Sequence, residues 1–326
     1  MRLPANNAQR TQTGAALLTA MIIVTLVASL ASAMVWRQYR AVQIEAAERA
    51  RAQAAWILQG SLDWARLILR EDARANLSEP VDHLGEVWAV PLAEARLSTF
   101  LAADKSDADA GPEAFLSGGL KDAQAQYNLR NLLGGTLVPP LEQRVLERLC
   151  ESAAVPPGTA ALLIAGLRSA FDTAASATAT TTNTSTPLQP KNIDQLAWLG
   201  LTADTIERLR PLLVLLPVAT PVNLNTAPRE VIAALFDDIG LVEAMRLEQA
   251  RMVKPLRTVQ EAKDYFPSKV TVSSERASVA SSYFWVSGRL RLDERVLEER
   301  SLVQRRGLEM LVLDRQRVNQ VLEIKR

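Results

Sequence analysis

Twenty-two consecutive residues, Ala15 to Trp36, carry no charge ("AALLTAMIIVTLVASLASAMVW"). As a helix at about 1.5 Å per residue this run is roughly 33 Å long, which matches a hydrocarbon thickness of about 30 Å. A chain that begins this way either discards the segment as a secretory signal or keeps it as a membrane anchor. Arg2 and Arg10 form a basic leader, and Ala31-Ser32-Ala33 reads as a small-residue cleavage site, as a signal peptide would have. Two features oppose removal. The apolar run exceeds the usual core of about 7–15 residues, and the helical pattern continues past Ala33.

Tyr39, Val42, Ala46, Ala50, Ile57, Trp64 and Ile68 recur at steps of three, four or seven, with Arg40, Glu45, Glu48, Arg49 and Arg51 on the other faces. The pattern predicts one continuous helix, first apolar all round and then amphipathic. Arg2 and Arg10 before the run are nearly balanced by Arg37 and Arg40 after it, so flanking charge does not set the topology.

The 326 residues suffice for one large or two modest domains beyond the anchor. A net charge of +1 gives no global attraction to nucleic acid or to an acidic surface. A single cysteine, Cys150, rules out a disulfide within the chain. With a single histidine, His83, a zinc site of ordinary composition cannot be assembled, and no phosphate-binding glycine loop or nucleophile elbow is found. The chain reads as a non-enzyme. The acidic stretch Asp104, Asp107, Asp109 and Glu113 offers hard oxygen ligands without the spacing of an EF-hand, and reads as a solvated loop.

Residues 76–112 break the helix at Asn76 to Pro80 and then suggest one or two short strands through Val87, Val90, Leu92 and Leu97. Residues 113–269 read as an all-α block containing "LEQRVLERLC", "TAALLIAGLRSAF", "IDQLAWLG", "TADTIERLR", "APREVIAALF" and "LVEAMRLEQARM". Within it, the Thr- and Ala-rich stretch in 173–190 offers nothing to bury and predicts a flexible loop. Residues 270–326 turn to alternating β-branched and aromatic patterns ("KVTVSS", "YFWVSGRLRL", "RSLVQR", "LEMLVLD"), with Phe284, Val286, Leu290 and Leu292 on one face. Early and late strands are expected to pair, which makes the helical block an insertion in an antiparallel sheet.

Around Asp237 to Gly240 two short helices form a hairpin. Asn225 or Thr226 is expected to cap the first, and Thr258-Val-Gln-Glu261 reads as a capping box for a third helix. The segment resembles a helix-hairpin-helix module, which in many proteins grips DNA. Residues 223–266 hold six Lys or Arg against seven Asp or Glu, however, and phosphate binding needs a local positive surplus. No nucleic-acid partner is expected.

A short basic leader ending in Gly14, followed at once by an apolar helix from Ala15, looks like a type IV prepilin leader (residues 1–14). With "NLRNLL" at Asn128 to Leu133, "IDQLAWLGL" at Ile193 to Leu201, "NLNTAPREV" at Asn223 to Val231 and "SSYFWVSGR" at Ser281 to Arg289, the whole chain resembles the type II secretion system protein K family, the large minor pseudopilins. The resemblance implies an α+β, pilin-like fold. A long helix, with a transmembrane part 15–36 and an amphipathic part 37–75, packs on a small antiparallel sheet, and a large all-α domain of helix-hairpin-helix or SAM-like type is inserted between strands.

It also implies cleavage after Gly14 by prepilin peptidase, methylation of the new N-terminal Ala15, and a single pass through the inner membrane with the bulk in the periplasm. The implied partners are other minor pseudopilins of a tip complex and the major pseudopilin. The implied role is to start pseudopilus assembly in support of protein export. Relatives suggest calcium as a bound cation, but no ligand set can be assigned in this sequence.

In most pilin subunits a glutamate at the fifth mature position neutralises a neighbour's free amine inside the membrane, where an unpaired charge costs several kcal/mol. Here that position is Thr19, which cannot do so. A tip subunit has no predecessor above it to neutralise. A threonine in a membrane helix also simply bonds back to its own backbone. A minor pilin of a type IV pilus, and a membrane-anchored DNA-binding hairpin protein, are the alternative functions.

Overall fold

In the C-terminal third, strict alternation builds a sheet with two different faces. The computed structural model describes residues 13–97, 114–135, 137–175, 188–292 and 295–318. Five antiparallel strands run in the order β1 (Leu92–Arg96), β2 (Ala114–Asp122), β7 (Tyr283–Leu292), β8 (Arg295–Arg306) and β9 (Glu309–Val318). On β7 the residues Phe284, Val286, Leu290 and Leu292 are all buried, as their spacing predicts, while Arg289 between them is exposed.

The long helix α1 runs from Thr13 to Ala75 without a break. From Leu58 onward its stripe Leu62, Ala65 and Leu69 packs with Trp88, Phe284, Val286, Val303 and Met310. Trp88 meets Phe284 edge-on, with ring centroids 5.3 Å apart. The expected stripe is rotated by about one position, since Trp64 stays 64% exposed. A large aromatic ring cannot enter the seam where helix and sheet come closest. At that seam stands Gly288, paired across the strands with Gly118. A Cβ on Gly288 would lie 3.0 Å from Ser61 Oγ and 3.2 Å from Leu58 Cδ2, and one on Gly118 would lie 2.3 Å from the Ser287 carbonyl oxygen.

Between β2 and β7 the chain makes its helical insertion. It contains α2 (Pro140–Ser152), α3 (Thr159–Ala175), α4 (Ala203–Leu209), α5 (Arg229–Leu235) and α6 (Leu241–Val253), plus 3-10 turns at Leu129–Leu133, Ile193–Leu199 and Val259–Tyr265. Its core is aliphatic: Leu129, Leu146, Leu149, Leu163, Leu167, Leu196, Leu209, Val231, Ile232 and Leu247 are among its buried members, together with Cys150. Asn192 accepts from Gln195 N to start the turn at Ile193, and Gly200, at φ +93°, ends it in the left-handed conformation that glycine favours. Thr202 then caps α4 by accepting from Thr205 N. Two-residue parallel pairs, β3 (Tyr127–Asn128) with β4 (Leu213–Val214) and β5 (Val222–Asn223) with β6 (Ala277–Ser278), stitch the insertion internally.

Several expectations need correction. Residues 114–122, read as the start of the helical block, are strand β2, because their alternation is weak around Gly118 and Gly119. Lys269 to Ser274 ("KVTVSS") is irregular rather than a strand. Val270 and Val272 face the helical core, so this stretch belongs with the insertion. The segments at Ile193–Leu199 and Val259–Tyr265 are 3-10 turns, not α-helices. Pro228, not Asn225 or Thr226, stands at the N-cap of α5. At Thr258 no side-chain capping bond to the turn forms. Glu261 instead approaches Thr258 Oγ1 and Arg257 N, each at 3.4 Å. The leader with Arg2 and Arg10, the acidic stretch Asp104 to Glu113 and most of the Thr-rich stretch, 176–187, lie outside the described residues.

Candidate functional site: the apolar stem and the hinge of the insertion

Two parts of the molecule carry unusual chemistry, and the first is the stem. Gly14 and Ala15 lie in the first turn of α1, whose span from Ala15 is long and apolar enough to cross a membrane by length and composition. Leu17, Ile22, Leu26, Leu30 and Met34 are all exposed. Each of the hydroxyls between residues 15 and 36 turns back on its own helix. Thr19 Oγ1 donates to Ala15 O (3.1 Å) and lies 3.0 Å from Ala16 O, Thr25 donates to Ile22 O (2.9 Å), Ser29 to Thr25 O (2.7 Å) and Ser32 to Ala28 O (2.8 Å). A segment surrounded by hydrocarbon must satisfy its polar groups internally, and this one does. Thr19 presents no charge on the stem surface.

The second part is the hinge where the insertion leaves and rejoins the sheet. Asp122, the last residue of β2, is fully buried. Its Oδ2 accepts from Thr226 Oγ1 (2.5 Å), Ser281 Oγ (2.6 Å) and Asn223 Nδ2 (2.9 Å), and its Oδ1 accepts from Gln124 N (2.7 Å). One carboxylate thus ties the outgoing chain at 122–124 to the returning chain at 281 and to the Asn223-Thr226 turn. The Thr226 hydroxyl and the Asn225 amide, expected as helix caps, serve here instead. Asn225 exchanges a reciprocal pair of bonds with the Leu256 backbone, both 2.9 Å.

Beside Asp122 lies Asp82, 1% exposed, whose Oδ2 accepts from Ser281 N (2.7 Å) and from the Arg305 guanidinium. Arg305 also donates to Asp72 Oδ2 near the end of α1 (2.9 Å) and to Ser281 O (2.7 Å). Glu86 accepts from His83 N (3.0 Å) and Trp88 Nε1 (2.6 Å). Burial pushes the Asp122 carboxyl up to about 6, against the lowering effect of its hydroxyl donors. Burial, reinforced by Glu86 and Asp82, pushes Asp72 up to about 6 despite Arg305. Burial likewise raises Glu86 and lowers His83.

Asp72, Asp82 and Glu86 bring oxygens within 4.8 Å of one another, the only such grouping among the described residues. Its fit to calcium is poor. Arg305 already supplies the cation, His83 N and Trp88 Nε1 occupy Glu86 Oε2, and Asp82 Oδ1 is the one carboxylate oxygen left without a donor. Calcium wants about six to eight oxygens around an empty centre. The cluster is built around a guanidinium.

Two of the motifs singled out in the sequence meet at this hinge, through Asn223, Thr226 and Ser281, and a third lies within the insertion. Asn128 Oδ1 accepts from Arg130 N and Leu216 N while its Nδ2 donates to Val218 O (2.7 Å), and Asn131 pairs reciprocally with the Thr220 backbone, both bonds 3.1 Å. Asn223 and Ser281 hold Asp122. Asp82, Asp122 and Arg305 had escaped sequence reasoning. A carboxylate at the end of a strand is ordinary, and only the "NLNT" and "SSYF" segments hinted at a buried polar partner.

Two family models, both described as type II secretion system protein K, match at residues 125–218 and 222–279, which include Asn128, Asn131, Asn223 and Thr226 but not Asp82, Asp122, Ser281 or Arg305. Type II secretion system protein K of Pseudomonas aeruginosa PAO1 is 28% identical over 308 residues, 88% of this chain and 87% of that protein. By these matches the chain is similar to the type II secretion system protein K family. The fold agrees with the crystal structure of the GspK-GspI-GspJ complex of the enterotoxigenic Escherichia coli type 2 secretion system. There a chain of 22% identity superposes with a TM-score of 0.64, covering 84% of this chain and 99% of that one.

Proposed function

We propose that this chain is a minor pseudopilin that caps the tip of a type II secretion pseudopilus and starts its assembly. It does so as an inner-membrane subunit whose domains, following the stem, lie in the periplasm. The observation that carries the tip position is the placement of the insertion. It leaves the sheet at Asp122 beside the last turns of α1, where Arg305 links Asp72 and Asp82. A body of that size at the C-terminal end of the helix obstructs stacking of a further subunit above it.

Thr19 supports the same reading. A subunit with nothing above it needs no carboxylate to meet a predecessor's amine inside the membrane, where an unpaired charge is costly. Prepilin peptidase cuts after Gly14 and methylates Ala15, so the apolar stem is kept and docks with sibling stems. Small residues at Ala28, Ala31, Ser32 and Ala33 permit close helix approach.

The partners are other minor pseudopilins, of the kind named in the GspK-GspI-GspJ complex, and the major pseudopilin. Membrane extraction with a tagged full-length chain tests this. Co-purification of the minor pseudopilins encoded with the secretion system is expected, in a stoichiometry of one copy of this chain per complex. Recovery with the pilins of a type IV pilus instead would contradict the assignment.

A further inference from the structure

The outer face of the sheet is covered only at one end. Tyr283 and Leu302 pack there under Val214 and Leu216 of the insertion, with Trp285 at the margin. Beyond that margin insertion and sheet diverge and leave a groove of about 800 Å³, within the roughly 300–1,000 Å³ of ligand-sized clefts. The sheet wall carries Trp285, Ser287, Glu298 and Arg300, and Arg210 with Pro211 stands on the insertion side.

Arg300 is the unusual residue. Its guanidinium stacks 4.0 Å from the centroid of the Trp285 ring, yet it makes no ion pair or hydrogen bond among the described residues. Arg210, by contrast, is held by Asp194 and Glu207. Burial, and then the charge of Arg210, weakens the hold of Arg300 on its proton, while Asp194 and Glu298 act the other way. The Trp285 indole N–H, shielded from solvent, also lacks an acceptor. A buried donor without an acceptor costs about 1–3 kcal/mol.

A planar guanidinium pre-positioned on an aromatic face suits a carboxylate, which it can grip bidentately. Lys121, Arg210 and Arg300 in the lining are matched by Asp122, Glu207 and Glu298, so there is no positive surplus for a ligand with several negative charges and a single carboxylate is tolerated. Much of the remaining surface is apolar, with Leu84, Pro91, Pro211 and Pro228, and a bare anion would leave it unused.

We propose that this groove is a docking site for an extended peptide segment of a partner protein, one that presents a single carboxylate to Arg300 between apolar neighbours. The segment's apolar side chains cover the proline-lined walls.

The test uses full-length protein in detergent and a fluorescein-labelled hexapeptide, Pro-Leu-Glu-Leu-Pro-Ser, read by fluorescence anisotropy. Saturable binding is expected, at least tenfold weaker for the Glu-to-Gln peptide. R300Q should lose at least tenfold for the Glu peptide and no longer discriminate between the two, with an unchanged melting temperature. Independently of any variant, a photo-reactive benzoylphenylalanine version bound to the wild-type chain should cross-link within strands β7 and β8 or near Arg210. The proposal is overturned by no binding up to millimolar peptide, by equal binding of the Gln peptide, by cross-links elsewhere, or by displacement with an equal concentration of sodium acetate, which marks a simple anion site.

Discussion

The helical insertion and the sheet keep their order in opposite ways. The insertion encloses its own continuous aliphatic core, built from helices, 3-10 turns and two short parallel strand pairs. The sheet has no comparable interior. It depends on α1 over one face, through Leu62, Ala65 and Leu69, and on Val214 and Leu216 of the insertion at one end of the other. Beside that apolar contact the link between the two is polar: Asp122, Asp82 and Arg305 with their hydroxyl and amide partners. Apolar burial is non-directional, whereas a buried carboxylate that accepts four bonds from three separate segments specifies one relative placement. The hinge therefore acts as the element that aligns a self-contained insertion on a dependent sheet.

The largest effect should come from breaking the link. Arg305→Met leaves Asp72 and Asp82 facing each other with their cation gone, and about 3–5 kcal/mol of stability should be lost, as for other buried pairs deprived of one partner. Denaturant unfolding of the detergent-solubilised chain measures it. Adding Asp72→Asn to Arg305→Met should recover part of the loss by removing one of the stranded charges.

Leu149→Ala, at a fully buried position of the insertion core, should cost about 2–5 kcal/mol. Hydrogen exchange should show the lost protection concentrated in residues 125–279, with β8 and β9 little affected. Uniform loss across both regions would mean that the insertion is not self-contained.

How much of this was legible beforehand varies with the kind of signal. The long helix, the pairing of early and late strands and most insertion helices followed from periodicity, which apolar burial imposes directly on residue order. Strand β2 was misassigned because Ser117, Gly118 and Gly119 interrupt its apolar alternation, Gly118 lying too close to the Ser287 carbonyl for a side chain. Val270 and Val272 mimicked a strand although they fill a core from an irregular backbone. The hinge was illegible for a different reason. Asp82 and Asp122 look like surface carboxylates until folding brings Ser281 and Arg305 to them across some 160 to 220 residues.

A smaller effect should appear on titration. In the folded chain Asp122 and Asp72 are held at about 6, above the roughly 4 of an unfolded aspartate. The folded state therefore binds their protons more tightly. Their contribution is fully present below about pH 4 and is lost as pH rises through 6, at no more than roughly one kcal/mol per pH unit for each carboxyl. The unfolding free energy measured from pH 4 to 7 should show this decline, and Asp122→Asn should flatten it. A slope of the opposite sign at the hinge would contradict the placement of these groups.

The smallest change in stability, within about 0.5 kcal/mol, is expected for Trp64→Ala, since this ring is exposed on α1. If the outer side of the helix receives neighbouring subunits, the same variant should still reduce co-purification of the other minor pseudopilins. Unchanged recovery would confine the docking surface to other parts of the stem.

The central claim is that the apolar stem is retained and displayed by a processed pseudopilin. The most direct measurement is N-terminal mass spectrometry of the membrane-extracted protein. A chain beginning at N-methylated Ala15 is the predicted result. A chain beginning at Met34, or one still carrying Met1, would contradict it.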